Sequence, residues 1–252
     1  MLAEERQRQI VDYLSARGMV RVHDLRGDLQ LSLSTLRRDL QEIEQQGRIR
    51  RVHGGVVLVE ERTQPPFLQR STEMAQHKRR IGACAADLVA DGETIIVTSG
   101  STTQAMVPFL ASKSNLTVIT NAVNVAYLLA QYPHIAVIVL GGWLNHTECY
   151  ALGYLTELCL RDLRADKVFH GIYGLDPEHG LTSTSIQDVQ TDRTIIGGAR
   201  ELIVVADHTK FERNGPVRLA PITAASTIVT DSEAPAAPVE AMRSLGVREL
   251  QA

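Results

Sequence analysis

Apolar positions in the first part of the chain recur at helical spacing. Ile10 and Leu14, with Leu2 upstream, line one face of a helix predicted over 4–17 and closed by Gly18. Val22, Leu25 and Leu29 mark a short second helix. Leu36, Leu40 and Ile43, spaced by four and then three, form the buried stripe of a third, which Gly47 ends. Ser32 suits its N-cap, because a serine hydroxyl accepts an orphan backbone N–H. Residues 48–59, RIRRVHGGVVLV, then alternate like a two-stranded hairpin with a Gly-Gly turn.

Further along, the period changes. Six β-branched runs read as strands: ETIIVT, LTVIT, IAVIVL, KVFHGI, ELIVVAD and ASTIVTD. Amphipathic stretches at 81–90, 123–131 and 155–163 lie between some of them. Such alternation predicts an α/β domain with a mostly parallel sheet covered on both faces. Residues 60–77, EERTQPPFLQRSTEMAQH, carry a Pro-Pro pair and little periodicity, which reads as a linker. The expected organisation is a winged helix-turn-helix over 1–58, a linker over 59–77 and the α/β domain over 78–252.

Composition narrows this picture. The 252 residues carry a formal net charge of -3, so a surface suited to nucleic acid must be local. No apolar run is long enough to span a membrane, and residues 1–20 lack the apolar core of a secretion signal. Cys84, Cys149 and Cys159 are odd in number and lack metal-ligand spacing. They read as small apolar fillers in a reducing cytoplasm, with no metal or cofactor expected.

The third helix leaves Ser34, Thr35, Arg37, Arg38 and Gln41 off its buried stripe. Adjacent arginines alone are commonly a solvated face. Beside a cap, a glycine stop and a basic hairpin, they point to a helix whose N-terminal part enters the DNA major groove. The arginine fork can bond guanine or phosphate there, and Ser34 and Thr35 are short enough to permit close approach. Arg48, Arg50, Arg51 and His53 on the hairpin are the companion candidates, suited to phosphates.

The second chemical signal is ETIIVTSGSTTQAM. A strand runs into Ser99, Gly100, Ser101, Thr102 and Thr103, and a helix pattern begins at once. Glycine allows a close backbone approach, and N–H groups at a helix start favour an anion. Other strand ends finish at Thr120 and Asn121, at Gly141 and Gly142, at Gly174 and Asp176, and at Asp207 and Lys210. Open α/β sheets bind ligands beyond the C-terminal ends of their strands.

TLRRDLQEIEQQGRIRRVHGG closely resembles the signature of the DeoR-type family of bacterial transcription regulators. It departs from the usual pattern with Arg26 and Gly27 after Leu25, and with Gln30 in the turn before the third helix. HKRRIG, SGSTT, VITNA, LGGWL, ALGYL, ADKVFHGIYGLD, GLTS and ADHTKF resemble, in order, that family's sensor domain. That domain is similar in fold to ribose-5-phosphate isomerase. The resemblance implies a repressor of a carbohydrate-utilisation operon, acting as a homo-dimer or tetramer on double-stranded operator DNA. It implies a phosphorylated sugar as effector, with SGSTT on the phosphate and Asp207 and Lys210 bordering the sugar. Trp143 and His146 are further candidates to face it. The alternative is an active sugar-phosphate isomerase carrying a DNA-binding module. It would need a base and an enediolate partner, for which Asp176, Asp188, Asp207 and Lys210 are candidates. The resemblance implies binding without turnover.

Overall fold

The computed structural model describes residues 3–17, 20–29, 31–45, 49–52, 55–58, 64–211 and 213–252. The chain divides into two compact units, Met1–Gln64 and Pro65–Ala252.

The first unit comprises α1 (Ala3–Arg17), α2 (Val22–Asp28), α3 (Leu33–Gln45) and an antiparallel hairpin of β1 (Ile49–Val52) and β2 (Gly55–Leu58). Its core is the set of residues that helical spacing selects: Ile10, Leu14, Leu25, Leu36, Leu40 and Ile43 are all buried. The expected cap forms, with Thr35 N donating to Ser32 Oγ at 3.2 Å. Val20 and Val56 exchange backbone bonds of 3.0 and 2.8 Å, tying the chain between α1 and α2 to the hairpin. That approach requires Gly55, where a Cβ would lie 2.5 Å from the Val20 carbonyl oxygen. Gly18, Gly47 and the turn at residues 53 and 54 lie outside the described residues.

The second unit opens with α4 (Phe67–Thr72), α5 (Ala75–Asp87), β3 (Thr94–Val97), α6 (Ser101–Met106), β4 (Thr117–Thr120), α7 (Val123–Leu129) and β5 (Ala136–Val139). A hairpin of β6 (Trp143–Asn145) and β7 (Tyr150–Leu152) leads to α8 (Tyr154–Leu160) and β8 (Ala165–Gly171). Then come β9 (Gly174–Asp176), β10 (Gly180–Ser183), α9 (Ile186–Gly197), β11 (Ala199–Val205) and β12 (Val217–Ala220). The unit ends with β13 (Thr227–Thr230), α10 (Ala236–Ser244) and β14 (Arg248–Gln251).

Seven strands form one sheet in the order β14-β13-β11-β8-β3-β4-β5, every neighbouring pair parallel. All six expected strands lie in it. Successive side chains of a strand point to opposite faces. Ile96, Val168, Val204 and Ile228 therefore pack with Ile195 of α9 and Met242 of α10. Ile95, Phe169, Ile203 and Val229 pack with Ile81 of α5 and Met106 of α6 on the other face. From β3 the chain moves outward to β4 and β5, then returns to place β8 on the opposite side of β3. The C-terminal ends of β3 and β8 thus flank the topological switch point, where such sheets bind ligands.

The expected linker over 59–77 needs correction. Residues 59–63 lie outside the described residues, but Pro65 already belongs to the second unit. In α4, Phe67 and Arg70 are buried, and α5 starts at Ala75. The periodicity is obscured because α4 buries an arginine where an amphipathic helix would bury an aliphatic residue.

Candidate DNA interface and effector site

On α3, Ser34, Arg37, Arg38 and Gln41 are exposed and Thr35 is half-buried. Ser32 Oγ lies 2.8 Å from Thr35 Oγ1 and 3.1 Å from Ser34 Oγ, so the cap gathers both short hydroxyls at the helix start. The opposite face is anchored to α1: Asp39, buried, pairs with Arg6, and Gln7 Nε2 donates to Glu42 at 2.6 Å. Arg51 is less free than its place on the hairpin suggests. Its guanidinium lies 3.2 Å from Glu44 Oε2, and its backbone N donates to Glu44 Oε1 at 3.1 Å. Part of its charge therefore braces the hairpin against α3. Arg50 pairs with Val57 across the hairpin. Arg48 and His53 lie outside the described residues.

At the switch point the turn after β3 runs against the end of β8. Thr98 N donates to the Phe169 carbonyl at 3.1 Å. Gly100, at φ 152°, adopts a conformation that other residues rarely take, and a Cβ there would lie 2.9 Å from Thr103 Oγ1. Ser101, Thr102 and Thr103 are buried at the start of α6. Thr103 Oγ1 donates to the Gly100 carbonyl at 2.9 Å and Ser99 Oγ to the Glu148 carbonyl at 2.7 Å, so these two hydroxyls hold the turn itself.

Charged side chains gather beside this turn. Lys78 and Lys210 are only 5% and 8% exposed. Lys78 Nζ donates to the carbonyls of Arg70 and Glu73 at 2.6 and 2.8 Å. Burial drives the Lys210 ammonium down to about 8; attraction to Asp207 opposes the shift, and repulsion from Arg213, Arg70 and Lys78 adds to it. Among the described residues that ammonium donates to no protein acceptor. Asp207, also buried, accepts from Thr209 N at 3.1 Å. Arg70 pairs with Glu148, whose carboxyl burial raises above its ordinary range. Tyr150 bonds to Asp188, another carboxyl raised by burial. Four cationic side chains, Arg70, Lys78, Lys210 and Arg213, thus share a field with the carboxyl groups of Glu73, Glu148, Asp188 and Asp207.

Several expected site residues are engaged elsewhere. Thr120 Oγ1 donates to the Val97 carbonyl at 2.6 Å and accepts from Ala122 N. Asn121 Nδ2 donates to the Ala151 carbonyl at 2.9 Å, fastening the β6–β7 hairpin. The Gly141 carbonyl accepts from Thr156 Oγ1, and a Cβ on Gly142 would lie 2.2 Å from that oxygen. A Cβ on Gly174 would lie 1.8 Å from the Arg213 carbonyl oxygen, so this glycine permits a close chain crossing. Asp176 accepts from the N–H groups of Glu178 and His179 and from the His179 ring, closing the β9–β10 turn. Strand ends attract polar and small residues for these structural reasons too, which periodicity cannot separate from binding. Trp143, at 80% exposed, lies on the hairpin surface, and His146 is also exposed. Arg70, Lys78, Glu148 and Arg213 escaped the sequence reading as site residues. Lys78 sits inside the HKRRIG motif, whereas Arg70 is hidden in the apparent linker.

A winged helix-turn-helix joined to an α/β domain with buried charged side chains at its switch point defines a DNA-binding transcriptional regulator with a sensing domain. A DeoR-like helix-turn-helix domain matches residues 6–62 and a DeoR C terminal sensor domain matches residues 73–232. The chain belongs to the DeoR family. It is 31% identical over 235 residues to the glycerol-3-phosphate regulon repressor of Escherichia coli (strain K12), covering 93% of each chain. It is 33% identical over 237 residues to the HTH-type transcriptional regulator GolR of Listeria innocua, covering 92% of each. Ribose 5-phosphate isomerase A of Methanocaldococcus jannaschii aligns over 53% of each chain at 18% identity with a TM-score of 0.39, a likeness too slight to carry an argument.

Proposed function

We propose that this regulator represses a carbohydrate-utilisation operon and that a phosphorylated sugar bound at the switch point controls it. The observation that carries the reading is Lys210, a nearly buried ammonium that donates to no protein acceptor among the described residues and is repelled by Arg213, Arg70 and Lys78. A phosphate supplies such an ammonium with a charge-assisted hydrogen-bond acceptor. The Ser99–Thr103 turn borders the phosphate, and Asp207 offers its carboxylate to a sugar hydroxyl. The similarity to the glycerol-3-phosphate regulon repressor supports a small phosphorylated effector.

Ser34, Thr35, Arg37, Arg38 and Gln41 read operator bases, while Arg48, Arg50, Arg51 and His53 approach phosphates. A homo-dimer or tetramer presents paired modules to half-sites about one helical turn, or a multiple of it, apart. Support for self-association comes from Tyr127 and Tyr154, exposed at 75% and 66%, and from edge strand β5, which exposes Ile138 and Val139. Uncovered sheet edges and apolar surface of this kind favour a partner. Effector binding alters the presentation of the modules and releases DNA. Among the described residues no helix is long and apolar enough to cross a membrane, and the proposed location is the cytoplasm.

The test is a thermal-shift panel of sugar phosphates and their dephosphorylated sugars, followed by operator mobility shifts. A ligand at one hundred times its Kd stabilises by about 2.7 kcal/mol. Phosphorylated compounds are expected to raise the melting temperature and free the DNA. Equal response to the dephosphorylated forms would sink the phosphate reading. Aldose–ketose conversion of the bound sugar would replace the sensor reading with the isomerase one.

A further inference from the structure

A second polar cluster stands on the same segments that build the crevice. His77 precedes Lys78 on α5, His208 opens the helical turn that ends at Lys210, and Asp231 and Glu233 follow β13. Donor atoms of His77, His208 and Asp231 all lie within 4.8 Å of one another, and the two imidazole rings are 5.8 Å apart between centroids. Glu233 spans the pair: its carboxylate oxygens lie 3.5 Å from His77 Nε2 and 3.6 Å from His208 Nε2.

Asp231 has a different role. It is fully buried, and it accepts from His208 N at 3.0 Å, from Glu233 N at 3.0 Å and from His208 Nδ1 at 2.9 Å. A carboxylate at Nδ1 holds the proton there and leaves the lone pair on Nε2, the atom that faces Glu233. His77 Nδ1 is a buried nitrogen with no hydrogen-bond partner among the described residues. The nitrogen of His77 that faces Glu233 is the other one, Nε2.

The geometry points to a site for one divalent transition-metal ion of the zinc class, held by His77, His208 and Glu233, with Asp231 orienting His208 from behind. Donors about 2.0–2.2 Å from a tetrahedral ion lie roughly 3.3–3.6 Å from one another. Glu233 meets that range with one oxygen toward each histidine, 3.5 Å from His77 Nε2 and 3.6 Å from His208 Nε2, so it would serve as a two-oxygen ligand between the imidazoles. Two imidazoles with one carboxylate select zinc-like ions over magnesium or calcium, which prefer oxygen. A carboxylate behind a metal-bound histidine is the usual second support of such a ligand. Three protein ligands leave a fourth position for water or another donor. The bound ion links α5 to the segments after β11 and β13. This site stands independently of the effector reading.

The experiment uses the full chain, stripped with a chelator and dialysed against Zn²⁺, Co²⁺ or Mg²⁺. Metal content is measured by mass spectrometry and Co²⁺ ligation by visible absorption. The expected result is one equivalent of Zn²⁺ or Co²⁺ per chain, no retained Mg²⁺, and a Co²⁺ spectrum without thiolate charge transfer. Glu233 is exposed, so Glu233→Gln tests a ligand without disturbing packing. His77→Gln tests a second. Each is expected to weaken binding by more than about tenfold, the effect that loss of an outer supporting group alone has at metal sites. Failure of the wild-type chain to retain Zn²⁺, equal retention by a folded Glu233→Gln chain, or a thiolate band from Cys84, Cys149 or Cys159 would each overturn the assignment.

Discussion

The crevice and the DNA interface each turn on single side chains. Lys210 combines near-complete burial with an ammonium that donates to no protein acceptor among the described residues. Lys210→Met keeps the length of the side chain and removes the charge. Calorimetry with a sugar phosphate and its dephosphorylated sugar is expected to show a loss of about 1.5–3 kcal/mol for the phosphate alone. An unchanged preference for the phosphorylated form would place the anion elsewhere. On α3, Arg38 is exposed. Arg38→Ala is expected to cost roughly 1–3 kcal/mol in operator affinity, read by mobility shift, with effector binding unchanged. Full operator affinity in that variant would remove Arg38 from the base-reading set.

At the level of elements, the hairpin depends on contacts that its own sequence does not display. Gly55 lets Val20 pair with Val56, because a Cβ would stand 2.5 Å from a backbone oxygen that cannot move aside. Gly55→Val is expected to destabilise the first unit by about 1–3 kcal/mol, the usual cost of forced overpacking. Denaturant unfolding monitored in that unit checks this; unchanged stability would show that Val20 does not need the hairpin. Arg51 is tied to Glu44, so only part of its charge is available to DNA. Arg51→Ala is therefore expected to weaken binding to every sequence alike and to lower the salt slope by less than about one. A loss confined to one operator base would instead make Arg51 a base reader.

For the whole molecule, the boundary between the units falls at Gln64 and Pro65, at the start of the Pro-Pro pair, so the linker ends well before residue 77. Arg70 pairs with Glu148, and Phe67 N donates to the Thr147 carbonyl at 3.1 Å, so α4 is bound into the second unit. Limited proteolysis followed by mass spectrometry is expected to leave residues 67–87 uncut while the two units separate. Early cleavage within that range would restore the longer linker.

Much of this protein is legible from periodicity. The buried stripe Leu36, Leu40 and Ile43, the Ser32 cap and the six parallel strands follow from local rules, because spacing and β-branching act within a few residues. Edge strand β14 was not legible, since Leu250 is its only apolar residue. Strand-end glycines and hydroxyls could be located but not assigned: Thr120, Gly142 and Gly174 serve chain packing that only the folded neighbours define. The charged groups required the tertiary structure. Arg70 meets Glu148, and His77 meets His208 and Asp231, across long stretches of sequence. A buried charge or a ligand set has no period along the chain. It is decided by which strand ends the sheet order brings side by side, and that order is a property of the fold.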